Sequence, residues 1–260
     1  MRELFQLYTQ YLYEIIGSHA GYLAVGTALS YAAAPEIYDR YAAFSSLWVH
    51  GQPKHGKSSV SRWLMGLHGF NLEAGTSLQK MSGPGLSILL QQYGNLMVWI
   101  EEYQHPPEKW QVENLKAMYD RQPGSKKSYT ELQRVVRTGG IVTGVATAEN
   151  EQLRSRFCHV QVAMENRHSL TRGTPDRFPW FKHNFPDFCM IGRYLMQHRK
   201  EFARLVLDQM GHWIESRALA DCDHRARIVH GAAYASFAAL ASMLETHPAD
   251  ELKRFKAFLH

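Results

Sequence analysis

Residues 45–58 read Ser-Ser-Leu-Trp-Val-His-Gly-Gln-Pro-Lys-His-Gly-Lys-Ser. Ser45 to His50 is a short apolar run stopped by Gly51, the pattern of a buried strand feeding a glycine loop. From Gly51 to Ser58, through Gln52, Pro53, Lys54, His55, Gly56 and Lys57, the chain fits G-x-x-x-x-G-K-[ST] at every position. Glycines in such a loop let it bend until successive backbone N–H groups face a phosphate. The lysine, Lys57, then reaches the β- and γ-oxygens, and the Ser58 hydroxyl ligates Mg²⁺. Val60, Trp63, Leu64 and Leu67 recur at helical spacing on one face of the next segment, which Gly69 closes. A helix starting at the loop adds the positive end of its dipole. Together with Ser59, these residues are expected to bind a nucleoside triphosphate, ATP. The plainer alternative, a glycine turn with an exposed lysine, does not account for a strand before the loop and an amphipathic helix after it.

Outward from the loop, strands and helices alternate. Residues 95–100 (Asn-Leu-Met-Val-Trp-Ile) read as a second buried strand, 141–146 as a third and 158–163 as a fourth. Helical spacing covers 84–94 and 108–119. Residues 1–44 are helical, with Leu4, Leu7, Tyr8, Tyr11, Leu12 and Ile15 near the helical period. From about 186 onward only helices are expected. This order predicts an α/β fold, a phosphate-loop parallel-sheet core with N-terminal helices and a C-terminal helical lid. Pro175, Pro179 and Pro186 mark a linker, dividing the chain into 1–44, 45–173 and 174–260. Trp48, Trp63 and Trp99 fall on core elements and are read as packing residues.

Phosphate-loop hydrolysis needs an acid beside Mg²⁺ and a base that orients water, both at the carboxyl edge of a neighbouring strand. Glu101 and Glu102 follow the second strand and supply the pair: Glu101 for the metal, Glu102 for water. The alternative is the start of a surface turn. Thr143 tips the third strand, where a hydroxyl, with Asn150 nearby, senses a γ-phosphate; an ordinary strand residue is the competing reading. Arg154 and Arg156 precede the fourth strand, placed either to reach a neighbouring subunit's nucleotide or simply to be solvated. Arg227, with Arg225, is a candidate nucleotide sensor in the helical tail.

The composition is that of an ordinary globular protein: 45% hydrophobic and 20% charged residues, with a formal net charge of +5. A modest basic excess permits phosphate-backbone binding without establishing it. Cys158, Cys189 and Cys222 are widely spaced, which suits a reducing cytoplasm and not a disulfide framework. The 14 histidines form no metal-binding spacing. No apolar run is long enough to span a bilayer, and the amphipathic start does not read as a signal peptide.

Taken in order, the loop, LMVWIEEYQ, LKAMYD, IVTGVATAEN and LRSRF resemble the AAA+ ATPases, and within them the helicase portions of phage- and plasmid-type primase-helicase proteins. Glu102-Tyr103, Leu115-Lys116, Tyr119-Asp120 and Thr143-Gly144 occupy the family's motif positions over about residues 45–165. One departure is Glu101 where the family has aspartate. The resemblance implies ATP with Mg²⁺, self-association into a ring such as a hexamer, and movement along DNA, with the single strand as the expected track. Independently, Arg121, Lys126, Lys127, Arg134 and Arg137 surround a Pro123-Gly124 turn with Tyr129 nearby. A basic hairpin of this kind can track phosphates and stack a base, or be a solvated loop. The expected activity is an Mg-dependent ATPase acting as a DNA helicase in replication of DNA or of a mobile element. The rival is an ATP-dependent assembly switch, regulatory or defensive, without translocation. A small-molecule kinase fits the acidic pair and arginines poorly.

Overall fold

The computed structural model describes residues 1–103, 106–121, 136–148, 150–163, 176–215, 223–246 and Lys253. Five strands form one sheet: β1 (Ser46–His50), β2 (Thr76–Ser77), β3 (Val98–Tyr103), β4 (Gly140–Gly144) and β5 (Phe157–Gln161). Their spatial order is β2-β3-β4-β1-β5, and every pair is parallel. Parallel pairing requires crossovers, which the intervening helices supply. The late strand β4 inserts between β1 and β3, Trp48 registering with Val142 and Val142 with Ile100.

Side chains alternate across a strand, so the sheet has two buried faces. Leu47, Val49, Trp99, Ile141 and Val160 belong to one core, and Trp48, Val98, Ile100, Val142 and Phe157 to the other. α4 (Lys57–Gly66) covers the first face together with α1 (Arg2–Ile16), α2 (Ser18–Ser30) and the C-terminal helices. α5 (Gly83–Gln92), α6 (Lys109–Asp120) and the short α7 (Glu151–Arg154) cover the second. α3 (Ala34–Tyr41) leads into β1 and buries Ile37.

The second strand of the sequence reading differs at both ends. It begins at Val98, not Asn95, and runs through Tyr103, so Glu101 and Glu102 lie inside it. Asn95 and Leu96 belong to the turn instead, with the Leu96 amide bonded back to Tyr93 O. β2 was not expected from sequence at all; two residues are too few to show a period of two.

The proline-rich stretch is not a plain linker. α8 (Phe178–Asn184) carries Pro179 in its first turn, where a missing N–H costs no helical bond. Its Phe181 is buried and stacks on Trp63 with ring centroids 4.0 Å apart. α9 (Cys189–Gln197), α10 (Arg199–Ile214) and α11 (His224–Met243) follow. α11 lies directly on α2: a Cβ on Gly26 would come within 2.1 Å of Ala233 O, so these backbones meet without a side chain between them. The core on the α4 face therefore unites residues of the N-terminal helices, the sheet and the C-terminal helices. Trp48, Trp63 and Trp99 are all buried in these cores. No helix among the described residues is long and apolar enough to cross a membrane.

Candidate nucleotide site

The loop from Gly51 to Gly56 joins the carboxyl end of β1 to the first turn of α4. Gly51 has φ 151° and Gly56 φ 99°, conformations that suit glycine. Space also demands glycine at 51, since a Cβ there would stand 2.1 Å from Val162 O. Lys54 adopts φ 66° at the loop's tip. The Gly51 amide points at the end of β4, donating to Gly144 O at 3.3 Å and Val145 O at 3.2 Å.

Lys57 Nζ donates to Gly51 O at 2.6 Å and Gln52 O at 2.9 Å, holding the ammonium inside the loop. Partial burial lowers its pKa. His50, the last residue of β1, is also lowered, first by burial and then by the Lys57 charge, which favours a neutral ring beside the loop. Ser58 Oγ donates to Glu101 Oε1 at 3.1 Å. The two groups assigned from sequence to Mg²⁺ are thus in contact, although 43 residues separate them. A hydroxyl and a carboxylate are the oxygen ligands that magnesium takes from proteins beside phosphates.

Glu102 lies next to this pair on an irregular stretch of β3, where the register with β4 shifts between Ile100 and Tyr103. Its φ of 65° marks a bulge, which re-aims a side chain that simple alternation would send to the other face. The Glu102 carboxylate accepts a hydrogen bond from Ser77 Oγ on β2. Ser77 is a polar group of the site missed from sequence; the only available signal was its place in a strand too short to recognise. Thr143 is buried and pairs with Val49, level with the bulge that carries Glu101 and Glu102.

The remaining candidates do not converge on this point. Asn150 Oδ1 accepts from the Gln152 and Leu153 amides, so its oxygen caps α7 and only its amide nitrogen is left for a phosphate. Arg154 and Arg156 flank the end of α7, which packs on the sheet face opposite α4. Arg156 is buried; it donates to Gln152 O at 2.7 Å, pairs with Asp120 at 3.3 Å and lies over the Tyr119 ring. These bonds give it a structural role and withdraw it from a neighbour's reach. Arg154 is exposed.

Arg227 sits in the first turn of α11. Two residues on, Val229 O accepts from Cys158 Sγ at 3.4 Å, and Cys158 registers with Leu47. Leu47 precedes Gly51 by four residues, about 13 Å of strand. Burial raises the phenol pKa of Tyr119, at the end of α6, and Arg225 is close enough for its charge to offset part of that rise. The first turn of α11 therefore lies toward the amino end of the sheet, away from the loop.

Arg121, expected among the DNA-facing cations, is buried. Its guanidinium lies 5.0 Å from both the Tyr38 and Phe44 ring centroids and donates to Asn95 Oδ1 at 3.3 Å. Arg137 is exposed. Lys126, Lys127, Tyr129 and Arg134 fall outside the described residues.

The chain was compared with solved structures, and one of them shares this architecture. One described as "SCCmec type IV Cch - active helicase" superposes on 98% of this chain with a TM-score of 0.63 and 13% sequence identity. The two share a fold. The match covers 49% of that protein, so the present chain spans about half its length. "The X-ray structure of JCV Helicase" aligns with 99% of this chain and 70% of its own, at 19% identity and a TM-score of 0.36. No family model and no curated protein matches the sequence.

Proposed function

We propose that this protein is an AAA+-type ATPase that binds ATP with Mg²⁺ between Gly51 and Ser58 and uses its hydrolysis to drive a motor on DNA. The observation carrying the reading is the Ser58–Glu101 contact, which joins the first turn after the loop to the acidic strand beside Lys57. Backbone amides and Lys57 would hold the phosphates, Ser58 and Glu101 the metal, and Glu102 would orient water. Mg²⁺ supplies the charge that neutralises the developing phosphate oxygens. Thr143, level with the carboxylates, is suited to contact the γ-phosphate.

Hydrolysis also needs a cation on the transferring phosphoryl group, and the exposed Arg154, at the end of α7, is the candidate. It is placed to serve a neighbouring subunit, which requires a ring or another head-to-tail assembly. The helicase-like fold, the exposed Arg137 and the basic run before it support DNA as the track.

The test is steady-state ATP hydrolysis with and without single-stranded DNA, with Lys57→Ala as the blank. Strong stimulation that disappears in the variant supports the motor. ATP binding with hydrolysis indifferent to any nucleic acid would sink it in favour of an assembly switch.

A further inference from the structure

The arginine proposed to act on a neighbour must be held still, because misplacing a catalytic group by 1 Å can cost about 100-fold in rate. Arg154 is held from two sides. Its Nε donates to Ala148 O at 3.2 Å, and its own carbonyl accepts from His159 Nε2 at 3.1 Å. Its terminal guanidinium nitrogens make no hydrogen bond among the described residues, which leaves them available to a phosphate oxygen.

His159 lies in the middle of β5, and its surroundings lead back to the phosphate loop. Its ring centroid is 5.9 Å from that of Trp48 and 6.4 Å from that of His50. His50 immediately precedes Gly51, whose carbonyl holds the Lys57 ammonium. Trp48 Nε1 donates to Ala146 O at 3.0 Å, fastening the segment that runs from β4 toward α7. A carbonyl can only accept, so His159 Nε2 carries the proton in this bond. Nδ1 is then the bare nitrogen, and it is buried without a partner. A ring that only filled space would be better replaced by phenylalanine, since an unsatisfied buried nitrogen is costly.

We propose that His159 is a positioning residue that couples the phosphate loop to Arg154, so that the state of one site is passed to the arginine serving the next. This rests on the ATPase reading above and adds a regulation to that site. Movement of the Gly51 end of β1, through His50 and Trp48, shifts the His159 ring, and the ring carries the Arg154 backbone with it.

The test is a double-mutant cycle on ATP hydrolysis by the full chain, with Lys57→Ala as the background rate. His159→Phe keeps the stacked ring and deletes the bond. The expected result is a loss of about 10- to 100-fold in kcat with KM for ATP nearly unchanged. Arg154→Ala should lose about 1000-fold or more. Adding His159→Phe to Arg154→Ala should cost nothing further, because the histidine acts only through the arginine. His159→Gln, whose amide nitrogen replaces Nε2, should restore most of the rate. Thermal melting and binding of a fluorescent ATP analogue establish that each variant is folded. If His159→Phe is not, His159→Asn, whose amide stops short of the Arg154 carbonyl, takes its place in the cycle. Full kcat in the folded histidine variant, or losses that simply multiply, would overturn the coupling while leaving the ATPase reading intact. A Lys57→Ala rate equal to wild type would remove that reading, and the coupling with it.

Discussion

Ser58 Oγ and Glu101 Oε1 stand 3.1 Å apart, one at the start of α4 and the other inside β3. The contact depends on strand order, because β4 lies between β1 and β3 and sets how far the acidic strand stands from the loop. Glutamate at 101, one methylene longer than the aspartate of the proteins it resembles, spans that gap. Glu101→Asp should draw the carboxylate away from Ser58. A higher Mg²⁺ concentration for half-maximal hydrolysis is expected, with kcat reduced by up to about 100-fold. Magnesium titrations of the two proteins check this; an unchanged midpoint would separate Glu101 from the metal.

Glu102 occupies a bulge at φ 65° and accepts a hydrogen bond from Ser77. Glu102→Gln keeps the size and removes the base. Nucleotide binding should persist while kcat falls by about 100- to 10,000-fold, the usual range for loss of a general base. Single-turnover hydrolysis, with binding measured separately, distinguishes this from a defect in ATP affinity.

Gly51→Ala should abolish nucleotide binding for a steric reason. The added methyl would meet Val162 O at 2.1 Å, and that carbonyl follows the edge strand β5. The loop and the end of β5 would have to separate, breaking the Val162 N–His50 O bond of 2.8 Å. ATP-analogue binding should be lost together with a fall in melting temperature, whereas Lys57→Ala should lose hydrolysis with little change in melting.

Much of the site was legible because the loop obeys a local rule: glycines where the backbone must bend, then lysine and serine at the start of a helix. The acidic pair was legible through the apolar run before it, though its strand begins three residues later because Asn95 and Leu96 turn back on Tyr93. Spacing could not show which arginines are free. Arg154 and Arg156 are two positions apart, yet one is exposed and the other is buried against Asp120 and Tyr119, partners fixed by how α6 packs. Asn150 has a second role that spacing did not show, for a related reason. Three residues before Leu153 it is also an N-cap, and the unpaired amides of α7 claim its oxygen. Ser77 left no periodic trace, because a strand of two residues has none.

Acid should destabilise the fold through two histidines. Burial pushes both His68 and His159 down to about 4, from an ordinary value of 6.5. Their folded pKa values are depressed, so the unfolded chain binds more protons between these limits. Stability is therefore full above about pH 6.5 and lost as pH falls toward 4, by up to about 3 kcal/mol for each histidine. Urea midpoints at pH 7.5, 5.5 and 4.5 should fall in that order. His68→Gln, which can still bond to Ala28 O, should flatten the dependence by about one proton. An equal slope in the variant would mean that His68 does not titrate in this range.

Arg121 and Arg137 begin and end the basic run of sequence, yet their environments assign them different tasks. Arg121 is buried between Tyr38 and Phe44, and its Nε and Nη2 have no partner among the described residues. Burial lowers its pKa, the mark of a charge held at a cost. Replacing a poorly satisfied buried ion by an apolar chain of similar length is often neutral or stabilising. Arg121→Met should therefore leave the urea midpoint equal or higher, whereas Arg121→Ala, which also removes the packing, should cost about 2 kcal/mol. Neither should alter how DNA affinity depends on salt. Arg137→Ala should leave stability unchanged and reduce the slope of log affinity against log salt by about 1, the loss of one phosphate contact. Measuring urea midpoints and salt slopes on the same three proteins tests the division. A reduced slope in Arg121→Met would return that residue to the DNA surface, and an unchanged slope in Arg137→Ala would take Arg137 off it.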